Sequence, residues 1–168
     1  TFTVSIPKRI TDSNDETRGN IEIMPEDYIK KYSEIVDEAV INAREISGSK
    51  MALKSLSKVY RLFLHSATPQ RNLQNIVNKR RLASYFKAVY GSDDGNKTKT
   101  LFRIIKEQQI NIRDSAYVGD SQIDYEGAME AGITFIGVIN KTNDFKLRKD
   151  IKYKINDLTN IEAIIKRI

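Results

Sequence analysis

The spacing of apolar residues changes part-way along the chain. From Pro25 to about Arg44, Tyr28, Ile29, Tyr32, Ile35, Val36, Ala39 and Val40 recur every three to four positions, the period of an amphipathic helix. Pro25, Glu26 and Asp27 suit its first turn, where a proline forfeits no hydrogen bond and the macrodipole favours acids. Gly48 is a natural stop or turn. A second helix is predicted over Lys50–Lys58, with Met51, Leu53 and Leu56 apolar. Ahead of both, Thr1–Ile6 alternates and is β-branched, predicting a short strand closed by Pro7. Thr11–Asn20 is polar and turn-like. Beyond Lys58 short apolar runs alternate with amphipathic ones. Strands are expected at Tyr60–His65, in a short stretch after Tyr85, and at Ser115–Val118, Thr134–Ile139 and Tyr153–Ile155. Helices are expected over Pro69–Lys79, Thr98–Gln108, Tyr125–Ala131 and Ile161–Ile168. Strand and helix in alternation, joined by short loops, predict an α/β fold with a parallel sheet covered on both faces. Ligands of such sheets sit at the carboxyl ends of the strands.

Composition narrows the possibilities. The 168 residues are 40% hydrophobic and 30% charged, enough apolar material for a core in one domain or in one domain with an appendage. Without cysteine there is no disulfide, thiolate nucleophile or Cys-ligated zinc. No apolar run approaches the roughly 20 residues of a membrane span, and Thr1–Asn20 holds no leader-like apolar stretch. A cytoplasmic protein is the expectation. The net charge of +6 is spread out, densest at Lys79-Arg80-Arg81 and between Lys141 and Lys154. It reads as solvated surface. No aromatic-basic interleaving or nucleic-acid-binding motif accompanies it.

Three polar groups fall at predicted strand ends. Ser66-Ala67-Thr68 places a hydroxyl and consecutive N–H groups ahead of a helix, which is either an anion cradle or a helix cap. Asn96-Lys97-Thr98-Lys99-Thr100 opens another helix. A lysine there opposes the helix dipole, an arrangement understandable if it neutralises a phosphate. Lys99 is the first candidate and Lys97 its rival, the alternative being a surface lysine. Gly119-Asp120-Ser121-Gln122-Ile123-Asp124 follows an apolar strand and carries carboxylates four residues apart, on one side of the next helix start. Carboxylates suit Mg²⁺, which takes one or two of them plus waters and substrate phosphate. The competing reading is a capped helix start.

Hydroxyl, lysine and paired acids, in this order and each at a strand end, resemble the second, third and fourth motifs of the haloacid dehalogenase (HAD) superfamily. The phosphoglycolate-phosphatase-like branch is the nearest in look. The supporting stretches are LFLHSATPQ, YFKAVYGS and AYVGDSQIDYEGAMEAGITFIGV, within about Asp27 to Val138. The resemblance implies a HAD-like (Rossmann-like) parallel sheet flanked by helices and a Mg²⁺-dependent phosphatase acting on a small phosphorylated metabolite. It implies that Ser66 and the Ala67 N–H bind the phosphoryl group, that Lys99 neutralises it, and that Asp120 and Asp124 hold or orient the metal. Residues 25–46 resemble the remnant of a helical cap, and 47–168 the core.

The family's first motif is Asp-x-Asp, whose first carboxylate attacks phosphorus while the second acts as acid and base. The frame Ser5-Ile6-Pro7-Lys8-Arg9-Ile10-Thr11-Asp12-Ser13 fits that region, with Ser5 at the nucleophile position and Pro7, which has neither carboxylate nor N–H, at the acid/base position. Either residues 1–24 are a degenerate first motif or the chain lacks its first strand and part of its cap. On the first view it is a catalytically inactive module that binds a phospho-ligand or a protein. His65, the single histidine, is expected to be structural.

Overall fold

The computed structural model describes residues 26–92 and 96–168. The proposed first strand, Ser5 and Pro7 lie outside them. By contacts the chain divides into two compact units, one containing Arg44–Ile168 and the other the first helix, α1 (Glu26–Asn42). Taken by itself, α1 is the amphipathic helix that the spacing predicts. Tyr28, Tyr32 and Ile35 are nonetheless exposed along it, and Val36 and Val40 half-buried.

The larger unit runs α2 (Ser49–Leu56), β1 (Phe63–His65), α3 (Gln70–Lys79), β2 (Ala88–Tyr90), α4 (Lys97–Glu107), β3 (Ala116–Gly119), α5 (Gln122–Glu130), β4 (Thr134–Val138), β5 (Tyr153–Ile155) and α6 (Ile161–Ile165). Among the described residues every strand pairing is parallel: β1 with β2, and β3 with β4 with β5. This is the alternating α/β architecture expected from the sequence. Register aligns the strand ends, with His65 opposite Tyr90 and Gly119 opposite Gly137. The loops after β1 and β2 therefore start level with each other, as do those after β3 and β4, at the carboxyl ends where ligands of such sheets bind.

Both faces of β4 are buried, as a parallel sheet requires. Ile136 and Val138 pack with Ile155, with Ala52 and Leu56 of α2 and with Ile161 of α6. Phe135 packs on the opposite side with Ala128 of α5, Phe145 and Ile151. Leu53 of α2 joins Leu64, Leu73, Val77 and Leu82 beside β1, so α2 packs against both sheet segments. The inward stripe of α2 is Ser49, Ala52, Leu53 and Leu56, at i, i+3, i+4 and i+7. Met51, one of its apolar residues, is 76% exposed because it falls off that stripe.

Candidate functional site

The loop after β1 is tied down by the loop after β2. Gln70, first residue of α3, accepts a hydrogen bond from the Gly91 N–H at 2.7 Å and donates to the Val89 carbonyl at 3.1 Å. The Ser92 N–H donates to the Thr68 carbonyl at 3.1 Å. A Cβ at Gly91 would meet both the Gln70 nitrogen and the Thr68 oxygen at 2.5 Å, so only glycine allows this approach. Ser66 is thereby held at the end of β1, mostly buried. Its Oγ accepts from the Thr68 N–H at 3.2 Å and donates to Thr68 Oγ1 at 3.0 Å. Ser66 thus makes a local hydroxyl turn instead of capping α3, whose cap position is Pro69.

At the start of α4, Asn96 caps the helix by accepting from the Lys99 N–H at 2.9 Å. The structure places the two candidate lysines differently. Lys97 shares the buried stripe of Thr100, Leu101 and Ile104, again i, i+3, i+4 and i+7. Lys99 lies off that stripe, and its side chain is exposed. The buried Lys97 ammonium lies 2.5 Å from Asp124 Oδ1.

Asp124 is the most enclosed carboxylate described. Oδ1 accepts from Lys97 and, at 3.0 Å, from the Tyr117 hydroxyl; Oδ2 accepts from the Ser121 hydroxyl at 2.7 Å and the Ser121 N–H at 3.2 Å. In return the Asp124 N–H donates to Ser121 Oγ at 3.2 Å, completing a capping box at the start of α5. Burial alone would push the Asp124 carboxyl up. The Lys97 charge and its hydrogen bond, with help from Ser121, outweigh this and hold it below the ordinary carboxylate range. A carboxylate offers about four lone-pair sites, and protein donors fill those of Asp124. It braces Lys97 and α5 and has no lone pair left over for a metal, so its expected part in a metal shell is that of an orienting group. Gly119 makes room for it: a Cβ there would sit 2.4 Å from Asp124 Cβ.

Asp120 has a different environment. Asn140 donates to its Oδ2 at 2.9 Å, and Asn143 donates to its backbone carbonyl at 2.8 Å. The Asn143 amide also holds the Val138 carbonyl at 2.9 Å, so the loop after β4 braces the loop after β3. Asp120 Oδ1 is buried and has no hydrogen-bond partner among the described residues. Buried polar atoms normally find a partner, and a carboxylate oxygen left so suits a hard cation, which would complete its shell with water and phosphate. Among the described residues no group of three or more acidic, histidine or cysteine side chains could bind a metal alone.

His65 is buried, as a structural histidine should be, yet it reaches this network: its Nδ1 lies 2.9 Å from the Tyr117 hydroxyl. Burial, followed by the Lys97 charge, lowers its pKa to about 3. Tyr117, Asn140 and Asn143 were not anticipated from the sequence. The asparagines carried a signal, a polar loop (INKTND) after a parallel strand; Tyr117, inside an apolar strand, carried none.

Fold and candidate site together define an α/β protein whose hydroxyl, lysine and acids each follow the carboxyl end of a parallel strand. The model of the haloacid dehalogenase-like hydrolase family matches residues 4–138, and the chain belongs to that family. It is similar in structure to a predicted phosphatase from Clostridium acetobutylicum (TM-score 0.73, 23% identity, covering 84% of this chain and 68% of that one). A predicted phosphoglycolate phosphatase from Haemophilus somnus 129pt gives a TM-score of 0.68 at 19% identity, over 80% of this chain and 64% of that one. The HAD-family protein YfnB from Bacillus subtilis, in a form bound to magnesium, gives 0.68 at 17% identity, over 82% and 60%. A search of curated proteins finds no significant match. Among the described residues no helix is long and apolar enough to cross a membrane.

Proposed function

We infer that the chain holds the phosphate- and metal-binding part of a magnesium-dependent phosphatase site for a small phosphorylated metabolite of the cytoplasm. The observation that carries this reading is the buried Lys97–Asp124 pair standing beside Asp120, whose Oδ1 lacks a partner among the described residues. Ser66 Oγ and the Ala67 N–H would hold phosphoryl oxygens once Ser66 releases Thr68. Lys97 would neutralise charge on the transferring group, the electrostatic work on which such sites depend. Asp120 would hold Mg²⁺, with Asn140 fixing its other oxygen; bound there, the ion would polarise the phosphoryl group. Asp124 would orient Lys97. Residues 25–46 would be a cap remnant and 47–168 the core.

The test is hydrolysis of an aryl phosphate with and without Mg²⁺. Turnover that needs the metal and disappears in Asp120→Asn supports the reading. A chain that neither turns over the ester nor binds orthophosphate contradicts it. A second reading is motivated by Ser5 and Pro7 at the first-motif frame: an inactive module that binds phosphate and Mg²⁺ without turnover. Calorimetric binding with no hydrolysis would select it, and restored hydrolysis on Ser5→Asp with Pro7→Asp would strengthen it.

A further inference from the structure

His65 is the chain's single histidine, 4% exposed, and the reading above gives it no part. Its neighbours fix its chemistry. The Tyr117 hydroxyl donates to Asp124 Oδ1 at 3.0 Å. A phenol has one proton, and Asp124, ionised against Lys97, can only accept. The phenolic oxygen therefore meets His65 Nδ1, 2.9 Å away, as an acceptor. Nδ1 must carry the imidazole proton, which leaves Nε2 as a bare lone pair. Nε2 is buried with no hydrogen-bond partner among the described residues, so no donor or acceptor there competes for the other tautomer. The order is then His65 N–H to Tyr117, Tyr117 O–H to Asp124, and Asp124 to the Lys97 ammonium.

One oxygen, Asp124 Oδ1, receives both the phenol and the ammonium. Its two lone pairs are shared between them, so the phenol decides which direction is left to Lys97. We propose that Tyr117 and His65 are positioning residues for the phosphate site. His65 Nδ1–H orients the Tyr117 hydroxyl, the hydroxyl occupies one lone pair of Asp124 Oδ1, and Lys97 is confined to the other with its remaining N–H bonds aimed at the ligand. This deepens the phosphate-site reading of Lys97 and rests on it. The competing role is packing alone. Tyr117 lies edge-on to His65 with ring centroids 6.0 Å apart and stacks on Phe135 at 6.5 Å. Phenylalanine would serve that purpose equally well, whereas it cannot orient Lys97.

Nitrogen NMR of the labelled full chain tests the proposal, because one histidine gives one assignable ring. The wild type is expected to show Nδ1 protonated and Nε2 unprotonated, together with a Lys97 ammonium signal slowed in exchange by burial. Tyr117→Phe should move that ammonium signal and weaken binding of orthophosphate with Mg²⁺ about tenfold, the scale of one hydrogen bond to a charged group. His65→Asn places an N–H near the position of Nδ1 and should keep the Lys97 signal and the affinity; His65→Leu should lose both. An Nε2-protonated ring in the wild type overturns the proposal. So does a Tyr117→Phe protein with the wild-type Lys97 signal, or a His65→Leu protein indistinguishable from His65→Asn. Failure of the wild type to bind orthophosphate would remove the phosphate-site reading alone, and the Lys97 signal would still decide whether Tyr117 and His65 position it.

Discussion

Replacing Asp124 by asparagine is the most informative single change to the fold. Asparagine keeps the shape and can still cap α5, but it removes the charge opposite Lys97. Both partners are out of solvent, with side chains 7% and 0% exposed for Lys97 and Asp124, so screening by water does not soften the loss. Removing one partner of a buried ion pair strands the other, at a cost of about 3–5 kcal/mol. In a domain of this size about 1 kcal/mol moves the midpoint by about 2–4 °C. The melting temperature of Asp124→Asn should therefore fall by about 6–20 °C. Lys97→Met should cost a similar amount for the converse reason. The double variant should cost less than the sum of the two, because no unpaired charge remains, with a coupling energy of about 2 kcal/mol or more. Thermal and urea unfolding of the four proteins checks this. A melting temperature for Asp124→Asn within about 2 °C of wild type, or strictly additive losses, would refute the claim that the pair is buried and mutually dependent.

Other expectations follow from the same geometry. The unfolded His65 takes up a proton near pH 6.5, while the folded one resists until about 3. Between these values the unfolded state binds more protons, so folding stability should fall by about 1.4 kcal/mol for each pH unit below 6.5. Urea titrations at pH 7 and pH 5 should show this loss, and His65→Asn should flatten it. Asp124, held below its ordinary range, adds stability that disappears as pH falls through its folded-state value, so the acid limb of the profile should shrink in Asp124→Asn. Gly119→Ala would drive a Cβ to within 2.4 Å of Asp124 Cβ. It should destabilise the chain by about 1–3 kcal/mol, as overpacking does, and disturb the Lys97 signal, whereas Gly132→Ala, 3.7 Å from its nearest neighbour but at a φ of 70°, should cost stability with no effect on that signal.

Much of the architecture was legible because its signals are local. The period of α1, the β-branched run of β4 and the strand-terminal Gly119-Asp120 each name their element without help from distant residues. Boundaries moved where packing decides: Tyr60 and Arg61 read as strand but lie outside β1, and α5 begins at Gln122 because Ser121 and Asp124 close a capping box there. The candidate site stands in the sequence as a set of residue types in order. Which of Lys97 and Lys99 is buried depends on the phase of α4, which its apolar positions Leu101 and Ile104 already encode: position 97 shares their side of the helix and 99 does not. Asp124 reads in sequence as a second metal carboxylate; its four donors in the fold come from Lys97, Tyr117 and Ser121, and two of these residues lie on other elements. Tyr117 acquires its part only when strands are aligned, so no window along the chain could have marked it, whereas Asn140 stands in a polar loop that its own window shows.

Calorimetric titration of orthophosphate in the presence of Mg²⁺, comparing wild type, Lys97→Met, Lys99→Met and Asp120→Asn, bears most directly on the central claim. Wild type and Lys99→Met should bind alike. Lys97→Met should bind weaker by about a hundredfold, the scale of removing one preorganised charge-stabilising group, and Asp120→Asn should lose the dependence on Mg²⁺. Equal affinities for Lys97→Met and wild type, or metal dependence surviving in Asp120→Asn, would contradict the account.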